Sequence, residues 1–141
     1  MAPAVADNAM HVVFHPKGLR QFITNWDEFA GQMIHILHRD VTQGGRAAAR
    51  LLDEIMTYPG LPAEWRLPRH LPSASPVMIM HLAKGELRLA FFNTFTMLAM
   101  PTDAALQQLK IECFFPADAA TEDLARGSAL QANGDQHASR S

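Results

Sequence analysis

The first half of the chain places apolar residues three and four positions apart, the period of an α-helix. The longest such stripe predicts a helix over residues 26–41. It consists of Trp26, Phe29, Ala30, Met33, Ile34, Leu37 and Val41. Asn25 is a favourable N-cap and Glu28 follows three positions later, the spacing of a capping box. Gly44 and Gly45 end the helix.

Shorter helices are predicted on both sides of this one. Residues 8–15 form an apolar segment that predicts one short helical turn, and Pro16 can open the next helix. A second amphipathic helix is predicted over residues 46–57, and the following Tyr58-Pro59-Gly60 ends it. A proline-rich connection follows at residues 68–76.

The pattern then changes to strands. Residues 77–82 and 86–98 predict two strands joined by a turn at 83–85, and residues 109–115 predict a third. In the third strand Ile111 and Cys113 alternate against polar Glu112, which assigns the apolar set to the core. Helices followed by an antiparallel sheet of about three strands indicate an α+β fold, with a thin sheet whose edge needs covering.

These elements indicate one domain over residues 9–125. Residues 1–8 are small and polar and are expected to be a flexible N-terminus. A short helix is predicted at 121–125. The last segment, 126–141, is rich in Ser, Gly, Asn, Gln and Ala and is expected to be a disordered tail.

Charge and composition narrow the class of protein. The chain has 141 residues, of which 48% are hydrophobic and 18% charged, with a net charge of −2. This balance predicts a globular domain that does not hold DNA by itself, because phosphate contacts need a basic face. No signal peptide or membrane-length apolar run occurs, so we expect a cytoplasmic protein without membrane contact.

Few residues suggest catalysis or metal binding. His35 and His38 have a metal-compatible spacing, but no acidic ligand follows in a metalloprotease pattern, and we interpret them as surface or boundary histidines. The lone Cys113 is expected to pack as a small hydrophobic residue. The sequence has neither a glycine-rich phosphate loop nor a nucleophile elbow. We therefore expect neither an enzyme nor a metal site.

Methionines in the predicted sheet raise the question of a ligand pocket. Four methionines are most simply core residues, although thioethers also adapt to varied apolar ligands; they are Met78, Met80, Met97 and Met100. Asn93, Thr94 and Thr96 place polar groups beside phenylalanines, a mixture that small-molecule sites use for orientation. The alternative is that these polar groups face water.

Several segments together resemble the MmyB-like ligand-binding domain of XRE-family transcription regulators. The opening segment NAMHVVFHPKGLR at residues 8–20, followed by ITNW at 23–26, is similar to the family's start. LLDE at 51–54 running into Tyr58-Pro59-Gly60 agrees, as do residues 87–103. The most specific segment is LKIECFFPAD at 109–118. The resemblance covers about residues 8–124.

The resemblance implies a PAS-like sensor whose helices and sheet enclose a pocket for a fatty-acid-like molecule. In that family the domain follows a helix-turn-helix and a first pair of strands. Neither pattern precedes residue 8 here, so we expect an N-terminally truncated form, with DNA reached only through a domain not in this chain. Ala99-Met100-Pro101 replaces the family's usual Gly-Thr-Pro, which puts that turn in question.

Our interpretation is an effector-binding module that binds an apolar small molecule and forms a homodimer. The predicted ligand contacts assume that the odd-numbered face of the long strand points inward. They are Ile34, Leu37, Met80, Phe91, Asn93, Phe95, Met97 and Ile111. The alternative is a dimerisation remnant without a ligand, in which a second copy fills the open sheet edge.

Overall fold

The computed structural model describes residues 9–68, 77–97 and 110–138, with helices preceding a three-stranded antiparallel sheet. This confirms the α+β class. The α-helices are α1 (Ala9–Phe14), α2 (Trp26–Thr42), α3 (Arg46–Ile55) and α4 (Ala119–Ala138). The strands are β1 (Met78–Lys84), β2 (Leu87–Met97) and β3 (Lys110–Pro116), and two short 3-10 helices span Leu19–Phe22 and Ala63–Arg66. The predicted loop around Met100 lies outside the described residues.

The core forms around α2. The predicted stripe is buried at Phe29, Ala30, Met33, Ile34 and Leu37, and it packs in one cluster with side chains of α1, α3 and β1. Helix α1 is short, and its side chain at position 14 is buried in the same cluster. Tertiary packing therefore stabilises a helix too short to persist alone.

His38 corrects one expectation. Its side chain is buried rather than at a boundary, and its Nε2–H donates a 2.7 Å hydrogen bond to the Trp65 carbonyl. The buried ring ties α2 to the short helix around Trp65. This bond satisfies the polar atom that burial removes from water, so His38 has a structural explanation.

Arg20 holds the loop after α3. Its guanidinium donates to the carbonyls of Pro59 and Gly60, at 2.6 and 3.1 Å, and stacks 5.0 Å from the Trp26 ring centroid. A planar guanidinium can make both contacts at once. The Tyr58-Pro59-Gly60 stop is thus attached to the start of α2.

The sheet has the order β1-β2-β3. Met78 pairs with Asn93 and Met80 pairs with Phe91 across β1 and β2. The two strands join at Gly85 and Glu86, a tighter turn than predicted, and Gly85 has a φ of +59°, which glycine adopts without a steric penalty. Strand β1 consequently extends to Lys84.

Asn25 does not cap α2 with its side chain, contrary to the prediction. It stands at the N-cap position, yet its Nδ2 donates to the Ile79 carbonyl at 2.8 Å and its Oδ1 accepts from the His81 N–H at 3.0 Å. The preceding residue, Thr24, donates its N–H to the His81 carbonyl. These bonds satisfy backbone groups at the β1 edge, which a thin sheet would otherwise leave exposed.

Replacing Asn25 by Asp separates the two roles of this residue. Asp caps helices as well as Asn does, but it cannot donate to the Ile79 carbonyl. We expect Asn25→Asp to lower the free energy of unfolding by about 1–3 kcal/mol in urea titrations. Ser is also a capping residue, and the Asn25→Ser variant should likewise be less stable than the parent chain. If both variants are as stable as the parent, the capping role is supported instead.

The C-terminal helix is longer than predicted. Helix α4 continues to Ala138, although a disordered tail was expected from residue 126. Asp118 accepts from the Thr121 N–H at 2.7 Å, which caps the helix, and hydrogen bonds from Thr121 lower the pKa of this carboxyl. The buried Thr121 hydroxyl also accepts the Ala90 N–H at 2.9 Å. Local capping and alanine content thus favour a helix without an apolar stripe.

Candidate functional site

The face of the sheet that packs on α2 is the candidate site, and we call it the inner face. Met78 and Met80 of β1 lie in the core cluster with Ile34 and Leu37 of α2, and half-buried Phe91 of β2 packs against that cluster. Paired residues of an antiparallel ladder share a face. The inner face is therefore apolar at β1 and along the start of β2.

One buried polar side chain interrupts this apolar surface. Asn93, only 6% exposed, lies on the inner face opposite Met78 and donates from Nδ2 to Glu112 Oε1 at 2.6 Å. Its Oδ1 is buried without a hydrogen-bond partner among the described residues. A buried amide with one satisfied end is a departure from ordinary protein interiors.

The inner face becomes more open towards β3. Phe114 pairs with Asn93 and is 39% exposed. Phe114 and Glu112 extend the candidate site beyond the predicted residues. No local pattern in the sequence indicates either residue, because their place depends on the register between two strands that are far apart in the chain.

Most of the predicted ligand residues lie on the inner face or on the side of α2 that packs against it. The structure brings Ile34, Leu37, Met80 and Phe91 together, and Asn93 lies beside them. Positions 95 and 97 continue the same alternation along β2, opposite Glu112 and Lys110, but the side chains of Phe95 and Met97 lie outside the described part. Ligand contact by these residues stays a prediction.

Ile111 is the exception in its position on the sheet, and ligand contact by this residue stays a prediction. Its position pairs with Thr96, and the following pairs on that face are Cys113 with Thr94 and Phe115 with Phe92. Position 111 thus belongs to the opposite, outer face of the sheet. The register instead places Glu112, the polar residue of the predicted alternation, on the inner face with its hydrogen-bond partner Asn93.

The outer face carries its own apolar row. Ile79, Phe92 and Phe115 pair in register across the three strands, and Phe92 stacks on Phe115 with centroids 5.2 Å apart. Ile79 is 38% exposed and Phe115 is 45% exposed. The sequence pattern did not predict this row, because its three residues come together only through the pairing of the strands.

A separate polar cluster lies where α1 meets α3. His11 hydrogen-bonds the Tyr58 hydroxyl at 2.7 Å through Nδ1 and Glu54 at 3.1 Å through Nε2. Burial, and then the negative charge of Glu54, raises the pKa of Tyr58. Within residues 9–68, 77–97 and 110–138, no cluster of three His, Cys, Asp or Glu side chains has the arrangement of a metal site.

Comparison with known proteins identifies the family. The model of the MmyB-like transcription regulator ligand binding domain matches residues 1–126. The chain belongs to this family. No curated protein and no solved structure matches the chain. The MmyB-like family groups ligand-binding domains of transcription regulators rather than enzymes, which assigns the chain a sensory or effector role.

Within the part of this MmyB-like domain that the structure describes, no helix is both long and apolar enough to span a bilayer. Helix α4 is the longest and is exposed at every position from 122 to 131. Its side chains there are mostly polar or small, apart from the exposed Leu124 and Leu130.

Proposed function

We propose that this domain binds an apolar, fatty-acid-like small molecule on the inner face, between α2 and the β2–β3 side of the sheet. The observation that carries the proposal is the buried Asn93 amide within a surface of methionine and phenylalanine side chains. Small-molecule sites typically combine such apolar walls with a few orienting polar groups. Membership of a ligand-binding family supports the same role.

The expected affinity follows from apolar burial. Burying an acyl chain of about twelve methylenes contributes roughly 10 kcal/mol, at about 0.8 kcal/mol each. Association and ordering costs offset several kcal/mol of this, which leaves roughly micromolar affinity. Phe91 and Phe114 would contact the tail, while Asn93 would orient the head group.

In the parent regulator, ligand occupancy would be passed to a helix-turn-helix domain of the XRE family.

Isothermal titration of the purified chain with dodecanol and dodecanoate tests the binding step. We expect saturable binding of at least one of them at roughly micromolar concentration. Heat of dilution alone for both compounds would contradict the proposal.

A second candidate function is self-association, favoured by the outer-face row. Two copies could bury Ile79, Phe92 and Phe115 against each other, because apolar rows exposed on a sheet commonly mark interaction surfaces. This surface is distinct from the β1 edge, whose backbone groups Thr24 and Asn25 cover.

The dimer is tested by a charge introduced into the outer-face row. We expect Phe115→Glu to weaken dimerisation by at least about tenfold in sedimentation velocity experiments, because two carboxylates would be buried together. The control Leu67→Glu changes a side chain that is already exposed outside the sheet and should leave dimerisation unchanged. A monomeric parent chain at high concentration would contradict this candidate function.

A further inference from the structure

The oxygen of the Asn93 amide is a buried hydrogen-bond acceptor that a ligand could satisfy. Its Nδ2 is engaged 2.6 Å from Glu112 Oε1, while its buried Oδ1 has no partner among the described residues. An amide oxygen accepts hydrogen bonds and cannot donate them. A ligand group that meets Asn93 at this atom must therefore supply a hydrogen.

Glu112 fixes this orientation of the amide. Rotating the Asn93 side chain by half a turn would place Oδ1, instead of Nδ2, against a carboxylate oxygen of Glu112. Two acceptors at hydrogen-bond distance repel each other, and the existing hydrogen bond would be lost. The acceptor is thus held on the inner face by its neighbour on β3.

We propose that the ligand of this site presents a neutral hydrogen-bond donor, a hydroxyl or an amide N–H, next to its apolar tail. This inference rests on the proposed function and defines the head group. An ionised carboxylate has no hydrogen to donate and would lie close to Glu112, which accepts from the same amide. An ammonium group carries a charge whose burial costs far more than the burial of a neutral hydroxyl or amide.

Matched ligands test the head group on the unmodified protein. Dodecanol, its methyl ether and dodecanoate have similar apolar tails but a donor, an uncharged acceptor and a charged acceptor as head groups. Isothermal titration at neutral pH should give dodecanol an affinity about tenfold higher than the ether or dodecanoate, the size expected for one additional buried hydrogen bond.

The variant Asn93→Leu removes the acceptor and keeps an apolar side chain. It should bind dodecanol and the ether with equal affinity, whereas Thr94→Val, on the outer face, should keep the preference for dodecanol. If Asn93→Leu does not fold, the three ligands on the parent chain still decide the question.

The outcomes separate this inference from the proposed function. Dodecanoate or the ether binding as tightly as dodecanol would overturn the donor requirement and leave the ligand-binding role intact. Absence of binding by all three compounds would overturn both. A preference for dodecanol that persists in Asn93→Leu would assign the donor contact to another group and overturn the role of Asn93.

Discussion

Phe91→Asp is expected to weaken the binding of dodecanol strongly. Phe91 is half-buried on the inner face, opposite Met80 and packed against the core cluster. A carboxylate there would be desolvated by an incoming apolar tail without a compensating partner. The dissociation constant for dodecanol, measured by isothermal titration, should rise at least about tenfold.

The next residue supplies the control for this experiment. Phe92→Asp introduces the same charge one position later, on the outer face, where Phe92 stacks on Phe115. It should bind dodecanol within about twofold of the parent, because a slip of one residue changes the face of a strand. Circular dichroism establishes that both variants are folded. Equal loss of binding in the two variants would contradict the inner-face site.

Phe14→Ala is expected to give the largest loss of stability. Phe14 is completely buried, and its ring meets Trp26 edge-on with centroids 5.2 Å apart, joining α1 to the start of α2. Truncating a buried phenylalanine costs about 3–5 kcal/mol, which is a large fraction of a small domain's stability. Urea denaturation should therefore show a strongly lowered midpoint.

A smaller change at the same site separates lost volume from a lost helix. Phe14→Leu retains most of the apolar volume and should cost less than half as much as the alanine variant. If Phe14→Ala unfolds at the same urea concentration as the parent, α1 does not pack as the structure describes. The edge-on contact between Phe14 and Trp26 would then also be contradicted.

Local patterns were sufficient for the helical half of the molecule. The stripe on α2 has one phase, and residues such as Phe29, Met33 and Leu37 are all buried on it. A helix whose apolar residues follow one period has only one face to bury. The burial of His38 could not be inferred this way, because its partner, the Trp65 carbonyl, belongs to a later segment.

Long-range pairing explains what the sequence did not predict. Asn25 has the local environment of an N-cap, and only the arrival of β1 engages its amide with Ile79 and His81. In β3, apolar residues occupy both phases, at Cys113 and Phe115 on one face and at Phe114 on the other. The pattern therefore could not decide the register. The pairing of β2 with β3 placed Glu112 on the inner face and position 111 on the outer face.

Mass spectrometry of an organic extract tests the ligand-binding role most directly. The purified chain is equilibrated with a bacterial lipid extract and purified again. It should then yield about one apolar molecule per protein chain. The Phe91→Asp variant, treated identically, should yield much less of that molecule. An extract of the parent chain that contains no apolar compound beyond the amount recovered from Phe91→Asp would contradict the proposed function.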